Sequence, residues 1–180
     1  MTTLAIRPAH STDIDRIMEL ERHGFPAPIR ESRAVMQHRQ EHFPAGFVVL
    51  ESDAGEVIGY FCSELWDRDA GIDANNFAVG HDIRDVHRAD GSRLYVSSMT
   101  IDPHHRGNGM GRQFFTQCLA HVRCAMPQIR HSTLMLSAEW IGAHRIYRQA
   151  GYAEAIRLPN FFSSIAHHDA DAIVMHRDFA

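Results

Sequence analysis

Residues 101–115 read IDPHHRGNGMGRQFF, with Gly107, Gly109 and Gly111 alternating around Asn108 and Met110. Glycine costs conformational entropy and brings no side-chain contacts, so three of them in six positions require a special turn or a close backbone approach. Asn108-Gly109 by itself is a hairpin turn signal, but a hairpin needs an alternating strand on each side. Downstream, Met110, Phe114, Phe115, Cys118, Leu119, Val122 and Ala125 recur at three- and four-residue steps. That spacing predicts an amphipathic helix from about Gly109 to Ala125. Upstream, RLYVSSMTI (93–101) reads as a strand. Strand, glycine turn and helix together make an anion-binding geometry, because the first N–H groups of a helix lack internal partners and its dipole favours negative charge there.

Two nucleotide-binding devices fail on this stretch. A P-loop needs GxxxxGK[ST], which is absent, and a dinucleotide GxGxxG fails because Arg112 takes the place of the third glycine. What stands is R-x-x-G-x-G over Arg106–Gly111, whose backbone N–H groups can converge on a pyrophosphate.

Working outward, Leu4–Arg7 is a short strand stopped by Pro8. Ser11 and Asp13 offer an N-cap to a helix carrying Ile14, Ile17, Met18 and Leu20, which Pro26 and Pro28 end. A second helix is expected over Glu31–Glu41. GFVVLES and EVIGYFCSELW then read as two strands joined at Asp53-Ala54-Gly55. Residues 67–92 break all periodicity and form a long polar excursion before the strand at Arg93–Ile101. After the glycine stretch and its helix come a strand at Ser132–Ala138, a helix at Ile141–Gln149, strand material from Tyr152, and a last strand at Ala172–Met175.

The 180 residues, 44% of them hydrophobic, suffice for one substantial core, so a single domain over 1–180 is expected. A net charge of -4 argues against nucleic acid or anionic lipid as a partner, though a local basic pocket is compatible with it. The N-terminus lacks a signal-peptide pattern and no window is apolar enough to span a bilayer, so no membrane partner and a cytoplasmic location are expected. Cys62, Cys118 and Cys124 are odd in number and lack CxxC spacing; they read as buried small hydrophobes. The 14 histidines include the adjacent pairs His104-His105 and His167-His168, but no zinc spacing, and no metal is expected.

The order strand, D-P-x-x-R-G-x-G-x-G, helix, strand, then A-x-x-x-Y-x-x-x-G-Y over Ala143–Tyr152, resembles the GNAT superfamily of acetyl-coenzyme A dependent N-acetyltransferases across nearly the whole chain. The resemblance implies an α/β GNAT fold: a central mixed, twisted sheet of six to seven strands flanked by about four helices. It implies acetyl-CoA as co-substrate and an amine, on a small molecule or a peptide N-terminus, as acceptor. On the matching positions it puts the CoA pyrophosphate at Arg106, Gly107, Asn108, Gly109, Met110, Gly111 and Arg112. It puts the pantetheine arm and acetyl carbonyl at the backbone of Met99, Thr100 and Ile101, and makes Tyr147 the acid. GYFCSELWD (59–67) is similar to the arylalkylamine N-acetyltransferase branch, whereas NFF and DADAIVM near the end are similar to ribosomal-protein alanine N-acetyltransferases. The chain departs from both. Tyr95 and Ser97 stand where the first branch has catalytic histidines, Met135 stands where the second has a strand glutamate, and Trp140 replaces a common Asn.

Acetyl transfer requires a neutral amine, a polarised carbonyl and a protonated leaving sulfur. Glu64, His81 and His87 are the candidate bases, being polar residues expected on the acceptor side. A backbone N–H exposed where the fourth strand bulges near Met99 and Thr100 can stabilise the oxyanion. The Tyr147 phenol can protonate the sulfur, or Tyr147 can be a core aromatic beside Ile146. Phe25, Pro26, Pro28 and the second helix are candidates to line the acceptor groove, the alternative being that Phe25 staples the helix pair. Acetyl transfer by direct attack is the leading reading; a silent acyl-CoA sensor and an acyltransferase with a longer donor are the rivals.

Overall fold

Asp53, Ala54 and Gly55 close a hairpin, with Gly55 at φ +78° and its N–H donated to the carbonyl of Ser52 at 2.9 Å. The strands it joins, β2 (Phe47–Glu51) and β3 (Val57–Trp66), belong to a seven-stranded sheet in the computed structural model, which describes residues 4–67, 77–162 and 170–179. The other strands are β1 (Ala5–Pro8), β4 (Arg93–Ile101), β5 (His131–Ser137), β6 (Ala153–Leu158) and β7 (Ala172–Asp178). Their order is β1-β2-β3-β4-β5-β7-β6. Every neighbouring pair is antiparallel except β4 and β5, so the sheet is mixed, as a GNAT fold requires.

Five helices flank it among the described residues: α1 (Ile14–Gly24), α2 (Arg33–His42), the single turn α3 (Ile83–Val86), α4 (Met110–Ala125) and α5 (Ile141–Gln149). Ile14, Ile17 and Leu20 of α1 and Met36 of α2 cover one face, meeting Phe47, Val49 and Tyr60. Phe114, Phe115, Cys118 and Val122 of α4 cover the other, meeting Val48, Leu50 and Phe61. Alternate residues of β2 and β3 thus meet different helices, which is why both strands read as unbroken apolar runs.

Several boundaries differ from the sequence expectation for local reasons. Pro8 ends β1 from inside it, paired with Val48 on an edge strand where a missing N–H is harmless. The second helix starts at Arg33 because Ser32 caps it, its hydroxyl accepting the Val35 N–H at 3.2 Å. Ser11–Asp13 is a 3₁₀ turn, and Asp13 accepts the His10 N–H at 2.7 Å while gripping Arg7. The excursion at 67–92 contains α3; its residues 68–76, like the pair His167-His168, lie outside the described residues. Cys62 and Cys118 are buried as expected, but Cys124 is exposed on the outer side of α4.

Candidate functional site

The sheet opens in its middle. β4 pairs with β5 only from Arg93 to Val96, against His131 to Leu134, and beyond Val96 it keeps β3 on one edge alone. A β-bulge marks the point of departure. Cys62 pairs with Ser98 and Ser63 with Val96, leaving Ser97 as the extra residue. The bulge therefore lies two residues before the position expected near Met99, and the gap it begins runs past Met99 and Thr100. Alternate backbone N–H groups of a strand point to each edge, so some of those in 97–101 face the gap. A cavity of about 570 Å³ fills it, walled by β4 from Val96 to Ile101, by Leu134–Leu136 of β5 and by the start of α5.

At one mouth stands the glycine loop, and the three glycines have two separate causes. Gly107, Asn108 and Gly109 all have positive φ (109°, 49° and 76°), and added Cβ atoms on Gly107 or Gly109 would meet nothing within 4 Å. These two serve conformation and leave open space outside the backbone. Gly111 serves packing, since a Cβ there would come within 2.9 Å of Ile146 Cδ1 on α5. Met110 N–H closes on the Gly107 carbonyl and Gln113 N–H on that of Gly109. The N–H groups of Gly107, Asn108, Gly109, Gly111 and Arg112 have no partner among the described residues. Five open donors at a helix N-terminus form a cradle suited to a phosphate. Arg106 lines the cavity but turns its guanidinium back onto β4, with Nε on the Ile101 carbonyl at 2.8 Å and one Nη on Thr100 Oγ1 at 3.3 Å. It fixes the loop to the strand. Asp102 secures the same corner, capping the turn at His104 N–H (3.0 Å) and pairing with Arg16 of α1 at 2.6 Å.

Tyr147 projects from α5 into the cavity wall, its ring 4.9 Å from that of Phe115. Its hydroxyl has no hydrogen-bond partner among the described residues, and burial pushes its pKa up to about 12. Its ring belongs to the core, and the residue also borders the cavity.

Past the bulge a second, smaller cavity of about 60 Å³ shares Phe25, Ser97, Ser98, Met135 and Trp140 with the first. Phe25 thus lies between the two, 5.7 Å from the Trp140 ring, whereas Pro26 and Pro28 line neither. Of the three candidate bases, His81 lines the smaller cavity. Its Nδ1 faces the Ala78 carbonyl at 2.9 Å and its Nε2 the Glu64 carboxylate at 2.8 Å, two acceptors that favour the protonated ring. Burial opposes that charge, but the bond and field of Glu64 outweigh it and raise the His81 pKa. Glu64 is fully buried and also accepts Trp66 Nε1–H at 2.6 Å. His87 is on neither cavity wall. Its Nδ1 accepts the Leu65 N–H at 3.1 Å, its ring lies 4.7 Å from Phe43, and burial lowers its pKa. Of the three, His81 and Glu64 are hydrogen-bonded to each other and His87 lies apart from both cavities. Tyr95, at a position where a base was sought, stacks on Trp66 at 4.2 Å.

The structure brings in polar groups that the sequence reading passed over. Glu21 of α1 is 1% exposed; it accepts the Glu31 N–H at 2.8 Å and the Tyr60 hydroxyl hydrogen. The Tyr60 oxygen is 2.8 Å from Ser98 Oγ. Arg39, also 1% exposed, pairs with Glu31 at 2.9 Å. A signal for Glu21 was present: Ile14, Ile17 and Glu21 share one helix face, so a carboxylate occupies the apolar stripe. At the far end of β5 and β7, His131, His176 and Asp178 bring three ligand-type atoms within 4.8 Å of one another. Arg93 Nη1 lies 3.1 Å from His176 Nδ1, which places a cation against the group and leaves His176 Nε2 to donate to Asp178. The group reads as a hydrogen-bonded cluster.

A half-open sheet with a phosphate cradle at its mouth has a known counterpart. The profile of the acetyltransferase (GNAT) family matches residues 14–152. The chain belongs to the GNAT acetyltransferase family. As a GNAT protein it is an acyltransferase. Among solved structures, the loading GNATL domain of CurA from Lyngbya majuscula superposes with a TM-score of 0.79 at 13% identity, covering 98% of each chain. The GNAT-like decarboxylase GphF, in complex with isobutyryl-CoA, gives 0.76 at 18% identity, over 97% of this chain and 98% of that one. The ribosomal-protein-S18-alanine N-acetyltransferase of Escherichia coli gives 0.69 at 16% identity, over 98% and 94%. These likenesses show a shared fold. Among curated proteins, the probable hydrolase YhcX of Bacillus subtilis (strain 168) is 29% identical over 120 residues, which is 62% of this chain and 22% of that protein. The chain thus spans about a fifth of that relative's length. No helix among the described residues is long and apolar enough to cross a membrane.

Proposed function

We propose that this GNAT protein transfers acetyl from acetyl-CoA to a primary amine, on a small molecule or a peptide N-terminus, by direct attack with both substrates bound. The observation that carries this reading is the continuity of the gap: five open N–H groups at one mouth, a strand edge along the wall, the Tyr147 hydroxyl beside it, and a second cavity behind. Acetyl-CoA supplies the acyl group as an activated thioester. The loop from Arg106 to Arg112 binds its pyrophosphate through Gly107, Asn108, Gly109, Gly111 and Arg112 N–H, with Met110 closing the turn. The open edge of β4 at Met99, Thr100 and Ile101 holds the pantetheine arm and aims N–H at the carbonyl oxygen, where a fixed dipole acts on developing negative charge. Tyr147 holds a proton for the departing sulfur. Its raised pKa keeps that proton in place at neutral pH, and it falls due only as the thiolate forms.

An acceptor screen tests this reading. Aromatic amines, polyamines, amino acids and short peptides are each mixed with acetyl-CoA, and free thiol is read against a no-acceptor control. Amine-dependent thiol release is expected; acetyl-CoA binding with no release from any class would leave a silent acyl-CoA sensor.

A further inference from the structure

The transfer reading requires a proton to leave the acceptor nitrogen; of the three bases sought in the sequence, His81 alone lines one of the two cavities, and its ring nitrogens already face the Ala78 carbonyl and the Glu64 carboxylate. We propose that Ser98, Tyr60 and Glu21 form a proton relay that carries this proton from the acceptor nitrogen into the space under α1; the proposal rests on the N-acetyltransfer reading.

Ser98 stands on the wall of both cavities, on β4, one residue past the bulge. Behind it the Tyr60 oxygen lies 2.8 Å from Ser98 Oγ, and the Tyr60 hydroxyl donates to Glu21 Oε2. Three segments far apart in sequence thus make one unbroken chain of hydrogen bonds. With Glu21 ionised the single Tyr60 proton goes to the carboxylate, and Ser98 then donates to Tyr60. The lone pairs of Ser98 Oγ are left as acceptors on the cavity side. An acceptor arriving as an ammonium meets a hydroxyl already polarised away from it.

The step balances. The ammonium nitrogen gives a proton to Ser98 Oγ, Ser98 passes its own to Tyr60, and Tyr60 passes its own to Glu21, whose carboxylate becomes a carboxylic acid. The neutral nitrogen then bonds to the acyl carbon and the carbon–sulfur bond breaks. Tyr147 protonates the sulfur and is reprotonated by the second hydrogen lost from nitrogen. One net proton is left on Glu21, to return to water through the smaller cavity that Glu21 also lines.

The surroundings suit a proton acceptor. Burial raises the Glu21 pKa against the opposing hydrogen bond of Tyr60, which brings the carboxyl toward the working pH. The Tyr60 pKa is pushed well up, first by burial and then by Glu21, so it conducts by exchange without ionising. The groups facing this chain are Glu31 ahead of α2, Arg39 on α2, and Cys62 on β3; His81 reaches the same cavity from the loop before α3. Arg39 favours the Glu21 carboxylate and Glu31 disfavours it.

The test is the pH dependence of kcat for parent, Glu21→Gln, Tyr60→Phe, Ser98→Ala and Ser98→Thr, with the best amine of the screen and acetyl-CoA saturating. The parent is expected to gain activity with rising pH through the raised carboxyl value. Each of the first three variants should lose that limb and fall about a hundredfold, the lower end of general acid–base effects. Ser98→Thr restores a hydroxyl and should recover the limb, which a packing role would not predict. Ser98→Ala removes one oxygen at a cavity edge and keeps the proposal testable if the Glu21 and Tyr60 variants misfold. Parental kcat and pH profile in folded Ser98→Ala would overturn the relay alone. A parent that binds acetyl-CoA but acetylates no amine would overturn the transfer reading and the relay with it.

Discussion

The two ends of the cleft are built from different materials. The proposed cofactor end is backbone: 107–112 offers N–H groups that are neighbours along the chain, held by glycine conformations and one arginine brace. The proposed acceptor end is side chain: Glu21, Tyr60 and Ser98 come from α1, β3 and β4, joined only by the sheet and the helix packed on it. A backbone cradle tolerates change in most of its side chains and fails at its glycines. A buried polar network fails wherever one member is removed, because each loss leaves a neighbour unsatisfied in a low-dielectric interior.

The contrast is broken most forcefully at Arg39. Its guanidinium and the Glu31 carboxylate are both nearly inaccessible, with side-chain exposures of 1% and 10%. Arg39→Met strands Glu31 as an unpaired buried charge, which costs about 3–5 kcal/mol. Urea unfolding near neutral pH should show the loss, and adding Glu31→Gln should recover a large part of it. A loss below about 0.5 kcal/mol would mean that the acceptor side is as forgiving as an exposed surface.

At the cofactor end, Gly109→Val places a branched side chain at φ +76° in the open space over the cradle. Acetyl-CoA at a hundredfold excess over its dissociation constant should stabilise the parent by about 2.7 kcal/mol, and the variant should lose this. Gly109→Asn, which tolerates the left-handed region, separates strain from obstruction. An undiminished thermal shift in folded Gly109→Val would place the pyrophosphate elsewhere.

Tyr147→Phe probes the junction of the two ends. It deletes one hydroxyl that has no partner among the described residues, so stability and acetyl-CoA affinity should hold. Turnover should fall roughly tenfold to a hundredfold, around the lower end of general acid effects. Parental kcat with chemistry rate-limiting would leave Tyr147 as a packing residue against Phe115.

What could be read in advance follows the same division. Gly107, Gly109 and Gly111 announce a backbone device within one short stretch, and the periodicity of α4 behind them decides which device it is. The mixed sheet of six to seven strands came through the family resemblance carried by R-x-x-G-x-G and A-x-x-x-Y; the order of its strands did not. The acceptor side was not legible, since no local pattern says that Glu21 will meet Tyr60, 39 residues later. Likewise the bulge at Ser97 depends on a register shift against β3 that neither strand encodes alone. His81 and Glu64 were chosen as polar residues near the right place. Their mutual hydrogen bond is a tertiary fact.

The smallest expected effect is a pH dependence, and it separates two histidines that looked alike in sequence. Glu64 raises the His81 pKa in the fold against the burial that opposes it, so protonated His81 favours the native state. That contribution is full below the unfolded value of about 6.5 and disappears as pH rises through the raised folded value. His87 has the opposite sign. Burial lowers its pKa, so the native state prefers it neutral and loses stability as pH falls below the unfolded value. The parent alone would show both slopes superposed, which is why the comparison must be made by difference. His81→Gln keeps a donor toward Glu64 but cannot titrate. The parent's advantage over His81→Gln in urea unfolding should therefore be largest near pH 6 and shrink toward pH 9. The advantage over His87→Gln should instead grow as pH rises from 5 to 7. Equal slopes in parent and His81→Gln would mean that His81 is not held as a cation by Glu64, and would return it to the set of free imidazoles available as a base.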